Sequence, residues 1–226
     1  EDTIIGIENN FANLVELIKS PSIELLENAY KGKPAIIVGA GPSLDKNIKE
    51  LKKAQGKALI LATDATLSTL KKHDILPDGV VSIERILLTY EKFYQGKDID
   101  RQIVFIGPPV VRGEILETLK ENKKLLCLKK GEKINEWIND AILQENRLLS
   151  MGSSCAHVAF AFAKHVGANP IIFVGQDLAY TRDGVTHSKD VEVMDKVDLN
   201  NRPDICFVEG INGEQLPTSN AFKNFL

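Results

Sequence analysis

Short apolar runs alternate with helical patterns along most of the chain, and this alternation predicts an α/β fold. Six runs are rich in aliphatic residues and have the length of buried parallel strands. They lie at 35–38, 58–62, 80–83, 103–106, 124–128 and 171–174. Apolar positions with helical spacing predict helices at about 43–53, 65–72 and 112–121, near Trp137, and between Ser154 and Gly167. Such alternation favours a Rossmann-like parallel sheet with helices on both faces.

The first of these strands leads into a glycine turn, Gly39-Ala40-Gly41-Pro42-Ser43, which is followed by a helix. The glycines allow backbone approaches that a Cβ would forbid, and Pro42 suits the first helical position. Backbone N–H groups at such a helix start can hold a phosphate, although a tight packing turn is a second interpretation. Leu44 stands where the dinucleotide fingerprint Gly-x-Gly-x-x-Gly has its third glycine, so the turn does not match that motif.

Polar side chains follow the predicted strands at their carboxyl ends, where ligands bind in parallel sheets. Asp64 follows the second strand and can hold a ribose hydroxyl or cap the next helix. Glu84 and Arg85 follow the third, and Gln176 and Asp177 follow the last. Because a carboxylate at the end of a buried strand is costly without a partner, Asp177 is the stronger candidate for a site role.

Two further motifs point to the same edge of the sheet. The run Gly152-Ser153-Ser154 opens an alanine-rich helix, and its hydroxyls can either hold a phosphate or cap the helix. His187 lies in the loop after Asp177, where an imidazole can act as a general base. A solvated loop histidine is the other interpretation of His187.

Composition and charge narrow the class of protein. The 226 residues are 43% hydrophobic and 26% charged, as in ordinary soluble proteins. A net charge of −3 gives no reason to expect nucleic acid, and no apolar run approaches the roughly 20 residues of a membrane span. The three separated cysteines are typical of reduced thiols, so we expect a cytoplasmic protein. No Cys/His spacing indicates a metal site.

Three segments are expected along the chain. Residues 31–190 form the nucleotide-binding α/β domain, and residues 1–30 form a helical flank that is broken at Ser20-Pro21. Residues 191–226 are polar and predict an excursion with a truncated C-terminal segment. The chain starts with Glu1-Asp2, without an initiator Met or a basic leader, so we expect a segment of a longer protein.

Together these motifs resemble the central domain of the motility accessory factor family, flagellin glycosyltransferases grouped with MptE-like (6-hydroxymethylpterin diphosphokinase-like) domains. The resemblance covers about 34–190 and is carried by four motifs. They are Ile37 to Leu44, Pro77-Asp78 with Ser82 to Arg85, Gly152 to Ser154, and Gly175 to Ala179 with Gly184 and His187. The order is also similar to that of bacterial CMP-sialic acid sialyltransferases, which carry an amide where Asp64 stands.

The resemblance implies transfer of a nonulosonic acid, of the pseudaminic or legionaminic type, from its CMP-activated form to Ser or Thr of flagellin. His187, Asp177 and Glu84 would be catalytic, with His187 as the base. CMP would be bound by Gly39, Ala40, Gly41, Pro42, Ser43, Asp64, Gly152, Ser153, Ser154 and Gln176. No metal or other cofactor is required, because turn and helix N–H groups can hold one phosphate. No nucleic-acid or membrane partner is expected.

Two other functions stay open at this point. A 6-hydroxymethylpterin diphosphokinase would use ATP and Mg²⁺, with Asp64 and Asp177 facing the metal. A non-catalytic module that binds a nucleotide or flagellin is the second alternative. The preferred nucleotide and its dependence on Mg²⁺ would separate the two enzymes.

Overall fold

The computed structural model describes residues 2–225, so Glu1 and Leu226, the ends of the two predicted flanks, lie outside it. The strands are β1 (Ala35–Val38), β2 (Leu59–Thr63), β3 (Gly79–Val81), β4 (Val104–Gly107), β5 (Lys124–Leu126), β6 (Leu128–Lys129), β7 (Leu148–Leu149), β8 (Ile171–Val174), β9 (Ile205–Glu209) and β10 (Gln215–Ser219). Six of them form one parallel sheet in the order β5-β4-β3-β2-β1-β8. All six are strands that the sequence predicts.

Helices connect most of these strands. The α-helices are α1 (Asp2–Ala12), α2 (Leu14–Lys19), α3 (Leu44–Ala54), α4 (Leu67–Lys72), α5 (Leu87–Phe93), α6 (Gly113–Thr118), α7 (Lys133–Trp137), α8 (Cys155–His165) and α9 (Asn220–Lys223). Short 3₁₀ turns cover Ile23–Leu26 and Asp64–Thr66. Helix α7 continues as a π-helix over Ile138–Leu143. No helix within residues 2–225 combines the length and apolar character needed to cross a bilayer.

Both faces of the sheet are covered, because alternate residues of a strand point to opposite sides. Ala35 and Ile37 of β1 join the core that contains α8, through Ala159 and Phe162 among others. The other face of β1 packs in a second core with α3, whose buried residues are Leu44, Ile48 and Leu51. The predicted Rossmann-like sheet with helices on both faces is therefore confirmed.

Strand β8 differs from its prediction as a buried strand. It is the edge of the sheet, and within residues 2–225 it pairs with β1 alone. The side chains of Ile172 and Phe173 are 43% and 46% exposed, and the Phe173 ring stacks on that of Phe160 at 5.9 Å. An apolar run alone does not distinguish an edge strand from a central one, and that is why the prediction of burial is wrong.

The segment beyond residue 190 contains an antiparallel hairpin, β9 and β10, which its polar composition did not predict. The hairpin is attached to the loop after β8. The N–H of Tyr180 donates to the Pro217 carbonyl at 2.8 Å, and the Thr218 hydroxyl donates to the Leu178 carbonyl at 2.6 Å. The C-terminal segment therefore packs beside the carboxyl edge of the sheet.

Candidate functional site

The candidate site lies where the order of the strands reverses. From β1 the chain moves through β2 to β5 on one side, and it then returns to place β8 on the other side of β1. Helices α3 and α8 cover opposite faces of β1. In open parallel sheets, ligands bind outside the carboxyl ends of the strands at such a reversal. The ends of β1 and β8 are therefore the expected position of a ligand.

The turn after β1, residues 39–43, packs tightly against the segment after β8. The N–H of Gly41 donates to the Gly175 carbonyl at 2.8 Å. A Cβ on Gly41 would lie 2.7 Å from that carbonyl oxygen and would collide with Asp177. The groups that approach Gly41 closely are thus the Gly175 carbonyl and the Asp177 side chain of the protein itself. Helix α3 begins at Leu44, so the prediction that Pro42 occupies its first position is wrong; Pro42 lies in the preceding turn.

Asp177 ties the same turn from the loop after β8. Its Oδ2 accepts a hydrogen bond from the Ser43 N–H at 3.0 Å and another from the Ser43 hydroxyl at 2.9 Å. Ser43 is the N-cap residue of α3, but its own side chain caps no N–H of that helix. The Asp177 carboxylate therefore serves as the anion at this helix start, where negative charge is favoured.

The loop after Asp177 folds back over the turn. The N–H of Ser188 donates to the Ala40 carbonyl at 2.9 Å, and the Ser188 hydroxyl donates to Asp45 Oδ1 at 2.6 Å. These two bonds fix the loop to the turn and to the first turn of α3. His187 precedes Ser188, and the anchored loop holds it at the ends of β1 and β8.

A cavity of about 140 Å³ opens between the turn and this loop. It is lined by Ala40, Gly41, Gly175, Gln176, Asp177, Leu178, Ala179, Thr186, His187 and Phe222. Nδ1 of His187 lies 2.9 Å from Oγ1 of Thr186. Burial lowers the pKa of His187 below its ordinary 6.5, so the imidazole is neutral at neutral pH. A neutral imidazole is the form that can accept a proton.

A second cavity, of about 290 Å³, lies along the same edge beyond β3 and β4. It is lined by Ile83, Glu84, Arg85, Pro108, Val110, Lys129, Glu132, Asn135 and Ser153. Glu84 and Ser153 line this cavity, whereas Gln176, Asp177 and His187 line the first. The structure therefore separates these predicted residues into two cavities, and it places six further predicted residues along neither: Gly39, Pro42, Ser43, Asp64, Gly152 and Ser154.

Three residues of the second cavity, Lys129, Glu132 and Asn135, were not predicted from the sequence. The pattern around Trp137 predicted a helix and nothing more. Asn135 is 1% exposed, and it is buried in the same helical segment as Ile138 and Asn139. An asparagine that shares helical spacing with a core isoleucine is the signal that could have identified it.

Asp64 is buried at the carboxyl end of β2 and lines neither of these cavities. Its Oδ2 accepts a hydrogen bond from the Ser82 hydroxyl at 2.7 Å, and its Oδ1 accepts one from the Ala65 N–H at 2.9 Å. Burial raises the pKa of Asp64 to about 6, and the nearby Glu84 carboxylate adds to this. The N-cap residues of the 3₁₀ turn and of α4 are Thr63 and Thr66, so the interpretation of Asp64 as an N-cap is wrong.

The start of α8 is held by its own side chains. Ser154 is the N-cap residue, and its hydroxyl oxygen accepts a hydrogen bond from the His157 N–H at 3.3 Å. A Cβ on Gly152 would lie 2.6 Å from Nδ1 of His157, so this glycine makes room for the imidazole. Ser154 therefore caps the helix, and Ser153 is the hydroxyl at the second cavity.

A larger cavity, of about 740 Å³, lies at the opposite edge of the sheet. Its lining includes Asp74 to Pro77, which precede β3, and Asp100 to Ile103, which precede β4. None of the predicted site residues lines it. Because ligands of parallel sheets bind at the carboxyl ends, this cavity is not the candidate active site.

The chain matches a protein-family model, a relative of known activity and a solved structure. The family model "6-hydroxymethylpterin diphosphokinase MptE-like" matches residues 8–183. The 6-hydroxymethyl-7,8-dihydropterin pyrophosphokinase of Methanocaldococcus jannaschii is 32% identical over 73 residues, which are 31% of this chain and 30% of that protein. The structure of the MAf glycosyltransferase from Magnetospirillum magneticum AMB-1 matches with a TM-score of 0.60 and 16% identity, over 89% of this chain and 32% of that chain. The matches thus cover about a third of each relative, and the structural likeness establishes the fold.

Proposed function

The chain belongs to the 6-hydroxymethylpterin diphosphokinase MptE-like family, and from that premise we propose that it is the nucleotide-binding domain of a glycosyltransferase. The proposed donor is a CMP-activated nonulosonic acid, and the acceptor is a Ser or Thr hydroxyl of flagellin. The observation that carries the proposal is the position of His187 beside the Gly39–Ser43 turn, at the reversal of strand order. The fold shared with the Magnetospirillum glycosyltransferase supports it.

The chemistry of transfer requires a proton acceptor and a site for the leaving nucleotide. The reacting carbon of such a sugar carries a carboxylate and lacks a neighbouring hydroxyl, so transfer passes through an oxocarbenium-like state as CMP departs. His187 is the proposed base for the acceptor hydroxyl, because its lowered pKa keeps it neutral at pH 7. The bonds from Ser188 to Ala40 and Asp45 hold the imidazole in a defined place.

A pterin diphosphokinase is the second candidate, and the descriptions of the family and of the Methanocaldococcus relative favour it. That enzyme would need Mg²⁺ held by Asp64 and Asp177. Asp64 already accepts from Ser82 and Ala65, and Asp177 accepts twice from Ser43. Asp177 lines the first cavity and Asp64 lines neither cavity of this edge, so the two carboxylates do not face a common space in which they could share a metal. We therefore favour the transferase over the kinase.

Nucleotide binding in the presence and absence of Mg²⁺ tests the proposal. CMP should raise the melting temperature of the chain in EDTA, and ATP with Mg²⁺ should raise it less. Gln176→Trp, which fills the first cavity, should abolish the CMP shift. Ser68→Trp, in the larger cavity at the opposite edge, should leave the shift intact. A preference for ATP, or a strict Mg²⁺ requirement, would overturn the proposal in favour of the kinase.

A further inference from the structure

The second cavity is lined by Asn135, whose side chain carries a buried oxygen that the described residues leave unpaired. The Oδ1 of Asn135 has no hydrogen-bond partner among the described residues. Its Nδ2 donates to Glu132 Oε2 at 2.9 Å and to the Lys129 carbonyl at 3.4 Å. Because two acceptors fix the position of the amide nitrogen, Oδ1 is the atom that needs a donor. Buried polar atoms are nearly always paired, so this one calls for an external partner.

The groups around Asn135 are suited to a small, acidic and hydroxylated ligand. Arg85 and Lys129 bring positive charge to the cavity, while Glu84, Glu132 and the Asn135 oxygen can accept from hydroxyls. The Nζ of Lys129 lies 3.4 Å from Glu132 Oε1. The cavity volume of about 290 Å³ is at the lower end for ligand pockets and is sufficient for one sugar ring.

The backbone beside Asn135 is also unusual. Helix α7, which carries Asn135, passes directly into the π-helix at 138–143. Such irregularities are rare and occur frequently at functional sites. The charged cavity therefore lies next to a π-helix, as does the unpaired oxygen of Asn135.

We propose that the second cavity binds the sugar acid, with a ligand hydroxyl or amide N–H donating to Asn135 Oδ1 and the ligand carboxylate facing Lys129. The identity of the sugar acid rests on the proposed function, whereas the cavity and its polar lining do not. The nucleotide would then bind at the Gly39–Ser43 turn, on the same carboxyl edge. Asn135 and Lys129 are thus assigned as residues that determine specificity for the sugar.

N-acetylneuraminic acid is a probe that tests this site without requiring catalysis. Its addition to ¹⁵N-labelled protein should shift the side-chain amide signal of Asn135, which is identified by its loss in Asn135→Ala. In calorimetry, Asn135→Ala should weaken CMP-N-acetylneuraminate about fivefold, the usual effect of one hydrogen bond, and leave CMP unchanged. Lys129→Met should weaken the CMP-sugar but not CMP.

Asn139→Ala is the matched control for these variants. Asn139 is buried four residues further along, its Oδ1 accepts from the Arg147 N–H at 3.0 Å, and it does not line the cavity. This variant should bind both ligands as the unmodified protein does. If Asn135→Ala fails to fold, the Lys129→Met result decides the question.

The outcomes separate this inference from the proposed function. If CMP binds and the linked sugar adds no affinity that depends on Asn135 or Lys129, the inference is overturned and the nucleotide proposal stands. If free sugar acid shifts the Asn135 signal while CMP does not bind, the inference stands and the nucleotide proposal fails. A shift caused by 6-hydroxymethylpterin but not by the sugar acid would overturn the ligand class. If the Asn135 amide signal responds to neither probe, the proposal that the second cavity is a binding site is overturned.

Discussion

Replacement of Asp64 by asparagine should stabilise the folded chain at neutral pH. Asp64 is 5% exposed, and burial raises the pKa of its carboxyl from 3.8 to about 6. Because the pKa of Asp64 is higher in the folded chain than in the unfolded chain, protonation of Asp64 stabilises the folded chain. This stabilisation is complete below pH 3.8 and is lost as the pH rises through 6. At about 1.4 kcal/mol per pH unit, this interval corresponds to a cost of about 3 kcal/mol for the buried charge.

Asparagine can keep the hydrogen bonds of Asp64 without its charge. The amide oxygen can accept from the Ala65 N–H as Oδ1 does now. The Ser82 hydroxyl, which donates to Oδ2, can rotate and accept from the new amide NH₂ instead. The wild-type chain should therefore lose about 2 kcal/mol relative to Asp64→Asn between pH 4.5 and pH 7.5.

Urea unfolding at several pH values between 4.5 and 8 measures this difference. Asp98→Asn is the control, because the Asp98 side chain is 98% exposed and its ion pair with Lys71 lies at the surface. Its effect on the free energy of unfolding should be small and nearly independent of pH. If Asp64→Asn is instead destabilising by the same amount at every pH, the buried charge does not oppose folding and the reasoning is refuted.

Two further predictions concern the ends of β1 and β8. Asp177→Ala removes the acceptor of two Ser43 bonds and should lower the free energy of unfolding by about 1–3 kcal/mol. Asp177→Asn should lose less, and equal losses in urea unfolding would contradict this account. In the proposed flagellin glycosyltransferase, His187→Ala should reduce turnover about 100- to 10,000-fold at unchanged CMP affinity. The turnover of the unmodified protein should fall as the pH drops through the lowered pKa of His187. A loss of turnover under about threefold in His187→Ala would exclude His187 as the general base.

The central sheet was predictable because its signal is local. Each strand of the core is an apolar run such as 35–38, bounded by turn residues and followed by a helical pattern. The carboxyl-edge rule groups Gly41 with Asp177, His187 follows in the loop after Asp177, and one cavity is lined by all three. The local sequence pattern and the rules of sheet topology are therefore sufficient to predict the central sheet and these three residues of the first cavity.

Features that depend on the order of strands were not predictable from local pattern. The exposure of Phe173 follows from the edge position of β8, which no property of the run 171–174 specifies. The second cavity likewise combines loops after β3 and β4 with the segment that carries Asn135, far apart in the chain. The edge rule placed Asp64 with the other candidates, but in the structure Asp64 is buried and accepts a hydrogen bond from Ser82 after the neighbouring strand.

The contact between Asp177 and the glycine turn bears on how a nucleotide can bind there. Backbone N–H groups at a helix start need an acceptor in the absence of ligand, and the Asp177 carboxylate provides one for Ser43. A phosphate would compete with that carboxylate for the same donor, and two anions repel each other at such short range. Phosphate alone should therefore bind only weakly at this turn. In the proposed enzyme, the nucleoside and the sugar acid must then supply most of the affinity, which makes the polar cavity around Asn135 the more decisive part of the site.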